Sequence, residues 1–323
     1  MVGSQGRRER CALRGHRLVP CLFSEVPELP EVETVRRGVS RLYLGRKLLQ
    51  LSVTGPRTVR RHDPGLLGLL RGRTLCSVGR HGKYLLLGWD DGQVLVAHLR
   101  MSGQLLAAKP SEPLPLHTHA VLRFSGASDL RFVDPRTFGE LFLAGMGRAF
   151  RPDGGARPGS SADVAPMAAK AGGLALPEEL AGLGPDALDV GPAHLGAALA
   201  GRRAPLKALL VDQRVLAGVG NIYADEICHV ARLRPDRPAG GLRPAELRRL
   251  AVATHTVLTE AIAAGGSTLS DQRYRDVLGE AGSYQFEHKV YGRAGQPCMS
   301  CGRPIERATI GAKGAYFCRR CQR

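Results

Sequence analysis

The sequence contains few aromatic residues and no long apolar run. Phenylalanine, tryptophan and tyrosine make up 5% of the 323 residues, with a single tryptophan. So few rings argue against a surface on which successive single-stranded bases stack. No apolar run is long enough to cross a membrane. The sequence therefore predicts a globular protein without a membrane partner.

Acidic residues are also in the minority. Lys and Arg together number 46 against 29 Asp and Glu, and the formal net charge is +17. An excess of this size favours a polyanionic partner, of which nucleic acid is the commonest, although a solvated basic surface would have the same composition. With 43% hydrophobic residues, a chain of this length can form two domains with separate cores.

Cysteine is concentrated at one end of the chain. Four of the eight cysteines form two C-x2-C pairs, Cys298 with Cys301 and Cys318 with Cys321. This spacing is typical of a tetrahedral zinc site, and four protein ligands make such a site closed and structural. The other cysteines are scattered, which favours a reducing compartment over a disulfide framework. The segment between the pairs predicts a basic β-hairpin that carries Lys313, which zinc would stabilise.

Short strands dominate the first half of the sequence. Before them, apolar residues at helical spacing predict a helix from about Pro30 that Gly45 ends. Alternating segments separated by turn residues then predict a β-sandwich or barrel. The expected strands are 47–53, 84–88, 94–99, 119–124, 130–133 and 140–143.

The second half predicts helices. Residues 148–176 are rich in Gly, Ala, Pro and Ser and are expected to form a flexible loop. The domain boundary is expected within 183–192. Two helices follow, over 221–233 and 244–264, joined by a Pro/Gly-containing turn. This pair is compatible with a helix-hairpin DNA-binding unit, and equally with an ordinary pair of helices in a core.

The first 26 residues differ from the rest. They carry five arginines and a short apolar run interrupted by Pro20. A basic disordered tail, a secretory signal and a start assigned too far upstream would each explain them. A Pro-Glu-Leu-Pro-Glu run then begins at Pro27.

An ordered set of short motifs carries a family resemblance. The motifs begin at Pro27, Gly82, His98, His117, Asp134, Lys207, Ala217 and Val290 and lead into the cysteine pairs. In this order they resemble the formamidopyrimidine-DNA glycosylases, bacterial repair enzymes that excise oxidised purines. Leu29 stands where the related endonuclease VIII-like enzymes have glycine, and it favours the formamidopyrimidine branch.

The resemblance implies an α+β protein of two domains. Residues 27–188 would form a catalytic β-sandwich domain with flanking helices, interrupted by the insertion at 148–176. Residues 189–288 would form a helix-two-turn-helix bundle for DNA binding, and 289–323 a zinc ribbon that holds one structural Zn²⁺. The extension 1–26 would be disordered or absent from the native protein.

The resemblance also assigns catalytic roles. Pro27 would be the nucleophile, through a free secondary amine that forms an iminium with the sugar C1′. Glu28 would transfer protons, although an acid at a helix N-terminus is common for its charge alone. Lys83, on a β-hairpin, would contact phosphate and the damaged base. Lys313 stands where the family has arginine, so the charge is kept and the bidentate fork is lost.

Seven further residues match DNA-contacting positions of the family. Met101 and Phe138 would fill the gap left by the extruded base, and Arg136 would pair with the orphaned partner base. The others are expected near phosphates or the damaged base; they are His117, Arg202, Lys207 and Asn221.

The predicted function is that of a bifunctional DNA glycosylase and AP lyase of base excision repair. It would act as a monomer on duplex DNA that contains 8-oxoguanine or formamidopyrimidines, in the bacterial cytoplasm and associated with the nucleoid. Because an internal proline has only an amide nitrogen, Pro27 must become the chain terminus. Initiation at Val26, followed by removal of the initiator residue, would expose it. Alternatives are a non-catalytic zinc-ribbon protein that binds damaged DNA, and an endonuclease VIII-like enzyme for oxidised pyrimidines.

Overall fold

A computed structural model describes residues 27–145, 175–270 and 273–323. The predicted tail 1–26 and nearly all of the predicted loop 148–176 lie outside these ranges. In the described part of the chain, no helix combines the length and apolar character that crossing a membrane requires.

The first helix, α1, follows directly after the Pro-Glu pair. It spans Leu29–Tyr43 and buries Val32, Val35 and Val39 along one face. Its start is fixed locally, because the amide of Glu28 donates to the Glu31 carboxylate at 2.9 Å. Gly45 follows with a φ of 77°, which suits the expected helix end.

Eight strands after α1 form two antiparallel sheets of four. The first sheet has the order β1-β6-β7-β5 and the second the order β2-β3-β4-β8. Their inner faces share one apolar core with α1, and the predicted β-sandwich is confirmed. The strands are β1 Leu48–Val53, β2 Leu75–His81, β3 Tyr84–Trp89, β4 Val94–His98, β5 Gln104–Ala108, β6 Thr118–Phe124, β7 Asp129–Val133 and β8 Glu140–Leu143.

In the part of the chain that the structure describes, four α-helices follow the sandwich. They are α2 Pro192–Leu199, α3 Leu206–Leu210, α4 Asn221–Val230 and α5 Pro244–Ala263. The two longest, α4 and α5, pack against each other and were both expected from the sequence. The C-terminal hairpin pairs β9 Glu306–Ile310 with β10 Lys313–Phe317. Tyr316 of β10 belongs to the same core cluster as the helices, and β10 contacts α4, so the ribbon is packed onto the helical part.

The two cores exchange residues at their junction. Leu29, at the start of α1, belongs to the helical core. Tyr274 and Val277, which the sequence places in the second half, belong to the sandwich core. The predicted division at residue 188 therefore does not separate the packing, and the residues around Glu28 lie where the two parts meet.

Candidate active site

Glu28 is bound by the amino end of α4. Its side chain is 2% exposed. The carboxylate accepts hydrogen bonds from the amides of Gly220 at 2.6 Å and Ile222 at 2.9 Å. These amides lie at the start of α4, where the backbone N–H groups have no acceptor within the helix. The first acid of the sandwich half is thereby fixed against the helical half.

Lys83 lies next to this carboxylate. A Cβ built on Gly220 would be 2.4 Å from Glu28 Cδ and 2.6 Å from Lys83 Nζ. Both side chains therefore lie over the same glycine, which must remain a glycine for them to do so. The turn between β2 and β3 and the turn before α4 bring the lysine and the acid together from positions far apart in the chain.

Burial raises the pKa of Glu28 above its usual value, and the positive charge of Lys83 and the amides of α4 oppose that rise. Burial also raises the pKa of Glu31 to about 7. The Glu31 carboxylate accepts from Tyr223 Oη at 2.6 Å and from the Ser267 amide at 2.7 Å. The junction therefore holds two carboxyl groups that keep a proton more readily than exposed ones.

Pro27 is buried and immediately precedes Glu28. Chain adjacency places Pro27 next to the acid, and the acid lies beside Lys83 over Gly220. Three of the four predicted catalytic residues, Pro27, Glu28 and Lys83, are brought together by the fold.

Asp134 joins three loops, of which two carry the predicted base-displacing residues and one carries His117. Its fully buried carboxylate accepts from Ser102 Oγ at 2.5 Å and from the Gly139 amide at 2.6 Å. The Asp134 amide donates to the carbonyl of His117 at 3.0 Å. The loops after β4 and after β7 therefore meet at the Asp134 carboxylate, and the loop before β6 meets the Asp134 backbone amide.

These loops carry unusual backbone conformations. Arg100, His117 and Thr137 have φ values of 52°, 65° and 54°. Left-handed conformations at residues other than glycine are uncommon, and they concentrate where function requires a fixed geometry. Phe138, 38% exposed, follows this turn with the Arg136 guanidinium 5.2 Å from its ring centre. Met101 is partly buried on the neighbouring loop.

The remaining predicted contacts have different surroundings. Arg202 is exposed, and Asn221 is partly buried at the first position of α4. Lys207 is 1% exposed, with its ammonium 2.8 Å from Asp225 Oδ1 and 2.5 Å from the Gly314 carbonyl. The cation of Lys207 is thus enclosed by protein acceptors, and its contact with DNA stays a prediction.

Lys313 is exposed at the start of β10. The residue after it, Gly314, is the one bound by Lys207. Asp225 also accepts from the Tyr316 amide at 2.9 Å. The buried Lys207–Asp225 pair therefore fixes the strand that presents Lys313.

The four C-terminal cysteines form one cluster. Their sulfur atoms all lie within 4.8 Å of one another, with Cys301 and Cys318 at 3.5 Å and Cys298 and Cys321 at 3.9 Å. Sulfur ligands about 2.3 Å from a tetrahedral zinc are about 3.8 Å apart. Both the donor type and the spacing fit one structural Zn²⁺, as predicted.

A cleft of about 710 Å³ opens beside the junction. Its walls include Thr268, His288, Tyr291 and the exposed Phe286. His288 Nε2 lies 3.1 Å from Ser267 Oγ, which is 3.2 Å from Tyr223 Oη. Polar contacts thus connect the cleft through Ser267 and Tyr223 to Glu31 at the junction.

Several positioning residues were missed from the sequence. Asp134 was read only as part of a turn, and Glu31 only as part of a motif. Asp186 and Asp225 were given no individual role. Each makes its contacts with residues distant in the chain, so periodicity and spacing carry no signal for them. A carboxylate flanked by apolar residues, as in Gly-Pro-Asp-Ala-Leu at 184–188, is the one local hint.

Three family models match successive parts of the chain. They are the formamidopyrimidine-DNA glycosylase N-terminal domain over residues 26–141, the H2TH domain of the same enzymes over 182–273, and a zinc finger found in FPG and IleRS over 295–323. The first match begins one residue before Pro27.

Curated relatives carry the same name over nearly their whole length. Formamidopyrimidine-DNA glycosylase from Thermus thermophilus is 44% identical over 299 residues, which are 92% of this chain and 98% of that protein. The enzyme of this name from Symbiobacterium thermophilum is 39% identical over 300 residues, which are 92% of this chain and 89% of that protein.

Solved structures agree. The MutM (Fpg) protein from Thermus thermophilus matches with a TM-score of 0.73 at 41% identity, covering 92% of this chain and 98% of that one. Lactococcus lactis Fpg in complex with DNA containing an abasic site matches with a TM-score of 0.75 at 28% identity, covering 92% and 99%. Because the three family models match in order and these two curated relatives are 39% and 44% identical over 92% of the chain, the chain belongs to the formamidopyrimidine-DNA glycosylase family.

Proposed function

We propose that this chain excises oxidised purines from duplex DNA through the Pro27 nitrogen and then cuts the strand by β,δ-elimination. As a member of its family the protein is a DNA glycosylase of base excision repair, and AP lyase activity is typical of that family. The observation that carries the residue assignment is the enclosure of Glu28, which lies between the Pro27 ring, Lys83 and the amino end of α4.

The Pro27 nitrogen would attack C1′ of the damaged nucleotide. The glycosidic bond breaks, and its electron pair leaves with the base, which takes up a proton. The Pro27 nitrogen then loses its proton, the bond from C1′ to the ring oxygen opens as that oxygen receives a proton, and the lone pair freed on the nitrogen completes the iminium. Loss of a C2′ proton expels the 3′ phosphate, and a second elimination releases the 5′ phosphate.

Glu28 is placed to supply the proton for ring opening. A buried carboxyl with a raised pKa keeps a proton that it can donate. Burial raises the pKa of Glu28 in this way. Lys83, whose ammonium lies over the same glycine, would attract the phosphate beside the lesion and hold the sugar near the acid.

The three loops joined by Asp134 would hold the duplex open. Extruding a base costs a few kcal/mol of stacking, which an inserted side chain can offset. Met101 and Phe138 lie on adjoining loops, and Arg136 is close to the Phe138 ring. We propose that the two apolar side chains enter the stack while the guanidinium pairs with the orphaned base, with His117, Arg202 and Asn221 at the phosphates.

The cleft beside the junction would receive the extruded base. Its volume of about 710 Å³ accommodates a purine, and it adjoins the segment 270–287 that the family resemblance places over the damaged base. The Lactococcus lactis relatives were solved with DNA containing an abasic site or Fapy-dG. Lys313, on the zinc-braced hairpin, would bind phosphate near the lesion. Bacterial relatives support the expected location in the cytoplasm, with the nucleoid as its site of work.

Two forms of the protein test this assignment, one beginning at Met1 and one beginning at Pro27. Borohydride reduction with a duplex that contains 8-oxoguanine should trap a covalent complex with the second form only, because only a terminal proline has a basic nitrogen. Pro27→Gly in the short form should reduce trapping strongly, and Lys83→Gln should leave the cross-linking nitrogen in place. Equal trapping by both forms, or trapping that survives Pro27→Gly unchanged, would assign the nucleophile to another amine.

Intact mass of the native protein completes the test. A native chain that begins at Pro27 supports initiation at Val26 or later trimming. A fully active native chain with an upstream terminus would rule out the proline mechanism. Specific binding to oxidised duplexes without any cross-link or nick would leave a damage-binding protein.

A further inference from the structure

The turn that carries Lys83 is held from outside the sandwich. His81, Gly82 and Lys83 form the connection between β2 and β3, and the segment 184–188 packs against it. His81 Nε2 lies 3.0 Å from the carbonyl of Gly184. The Gly82 amide donates to Asp186 Oδ2 at 2.7 Å. A connection between domains therefore reaches back to the tip of a catalytic hairpin.

Asp186 uses all of its acceptor capacity there. Arg80 donates to Oδ2 at 2.5 Å and to Oδ1 at 3.0 Å, a bidentate pair. The Leu188 amide adds a contact to Oδ1 at 3.2 Å. Both oxygens thus face two donors each, once the Gly82 amide is included. Arg80 also donates to the Gly82 carbonyl at 2.9 Å, so the carboxylate and the guanidinium clamp both sides of this glycine.

The backbone of the same segment is joined to the start of α4. Asp186 and Ala217 form a parallel bridge, with the Ala187 amide donating to the Ala217 carbonyl at 2.9 Å. A Cβ on Gly82 would be 2.9 Å from Ala217 Cβ. Ala217 leads directly into the glycines whose amides bind Glu28. The Asp186 side chain thus contacts the turn that carries Lys83. The residues on either side of it, Pro185 and Ala187, hydrogen-bond to the backbone of Ala217, just before the α4 amides that bind Glu28.

We infer that Asp186 is a positioning residue that sets Lys83 against Glu28, and that it acts through the Gly82 turn. This inference rests on the proposed function of Lys83. The inference adds the residue that fixes the position of Lys83 relative to Glu28. Asp186 is 7% exposed and does not itself face the cleft. Its effect on the reaction therefore passes through the lysine.

Arg80 has a second acidic partner besides Asp186. Arg80 Nε also donates to Glu33 Oε2 at 3.2 Å, so the guanidinium keeps a counter-ion when Asp186 changes. In Asp186→Asn, one acceptor oxygen becomes an NH2 group that faces at least two donors. The Gly82 turn would then move away from Ala217, and Lys83 would move with it.

The test measures single-turnover base excision from an 8-oxoguanine duplex by the form that is active in the wild type. We expect Asp186→Asn to slow excision about 10- to 100-fold, the range for a misplaced catalytic group, with DNA affinity changed less than about 3-fold. In a Lys83→Gln background, Asp186→Asn should slow excision by less than about 2-fold, because coupled residues are non-additive. Asp186→Glu, which restores the charge, should recover part of the rate.

Glu246→Gln is the matched control, since Glu246 is a buried carboxylate bound by Arg237 at 2.7 Å in the helical part. It should lower thermal stability and leave the excision rate near wild type. If Asp186→Asn does not fold, Arg80→Lys carries the test, because it keeps the charge and loses the fork. Equal slowing with and without Lys83, or no slowing at all, overturns the inference. A wild type that excises nothing refutes the proposed function instead.

Discussion

Two lysine-bearing hairpins of this molecule are anchored in the same way and supported differently. Lys83 lies on the turn between β2 and β3, and Lys313 begins the last strand. Behind each is a buried ion pair with at least one residue from elsewhere in the chain. Asp186 lies 2.5 Å from Arg80 of β2 in one case, and Asp225 lies 2.8 Å from Lys207 in the other. Each pair bonds to the backbone of the glycine next to the lysine, Gly82 or Gly314.

The support behind the two hairpins is what differs. Strands β2 and β3 belong to a four-stranded sheet with a shared core, whereas β9 and β10 pair only with each other. An isolated two-stranded hairpin is marginal in water. We therefore expect the second hairpin to depend on zinc-bound cysteines in addition to its packing on α4, and the first to need no metal. A buried ion pair can therefore anchor a hairpin that a large sheet supports, and it can also anchor a hairpin that is expected to need zinc.

Loss of zinc should break the comparison most severely. In Cys298→Ser the tetrahedral site loses a ligand, and the ribbon should lose its fixed geometry because zinc supplies its folding energy. We expect DNA affinity to fall by about two orders of magnitude or more through the lost phosphate contacts. Fluorescence anisotropy with an abasic-site duplex measures it, and the emission of Trp89 in β3 should remain that of the folded sandwich.

Cys76→Ser is the control, because Cys76 is exposed on β2 and takes no part in the cluster. It should bind zinc and DNA as the wild type does. A zinc-free Cys298→Ser protein with undiminished affinity would show that the hairpin stands without its metal.

Lys207→Met should have the next largest effect. It removes the ammonium that holds the Gly314 carbonyl and leaves the Asp225 carboxyl buried without its cation. Breaking a buried pair in this way costs about 3 kcal/mol of stability. We expect DNA affinity to fall about tenfold as Lys313 loses its fixed position.

The decisive measurement is the same change in a Lys313→Met background. If Lys207 acts through the hairpin, no further loss of affinity should follow. A second tenfold loss would instead mean that Lys207 meets the DNA itself. Lys47→Met, which removes an exposed charge at the far end of β1, controls for net charge.

The smallest expected effect is a shift in pH dependence, and it should separate the two lysines. The charge of Lys83 lowers the pKa of Glu28 while burial raises it. Lys83→Gln removes the positive charge that lowers the pKa of Glu28 and keeps the burial that raises it, so the pKa of Glu28 should rise. The limb of the pH–rate profile that reports Glu28 should therefore move to higher pH, measured by single-turnover cleavage of an abasic-site duplex.

Lys313→Gln should lower the rate without moving that limb, because Lys313 is exposed on the ribbon and is not among the charges that act on Glu28. A limb that shifts equally in both variants would mean that the field at Glu28 is set by overall charge. A shift to lower pH in Lys83→Gln would contradict the contact between them.

Regular elements could be predicted because their signals are local. The hairpin over 84–98 was expected from alternating residues around Asp90-Asp91-Gly92, and the helix over 244–263 from its apolar face and its terminal glycines. Strands β2 and β5 and the short helices α2 and α3 were not expected. They lack turn signals or sufficient length, and partners distant in the chain stabilise them.

The candidate site divides in a similar way. The cysteines could be named from their spacing, whereas Glu28, Lys83 and Phe138 could be named only through the family resemblance of the motifs that contain them. For Lys207 the sequence indicated a DNA contact and gave no sign of its buried ion pair. A lysine in a sequence is a cation by default, and only burial beside Asp225 makes it an internal brace. Asp134, Asp186 and Asp225 could not be found, because each makes its contacts across the tertiary fold.

By itself the sequence determined which chemical groups are present. They are a proline followed by an acid, lysines on hairpin turns, and four thiols at the spacing of a zinc site. The tertiary structure alone decided which groups meet, since burial and hydrogen bonding depend on neighbours that chain order does not specify. It brought Glu28 to the amino end of α4, 192 residues away, with the amide of Gly220 at 2.6 Å. Burial at that junction raises the pKa of Glu28 although the amides of α4 oppose the rise, and a carboxyl group with a raised pKa keeps a proton that it can donate.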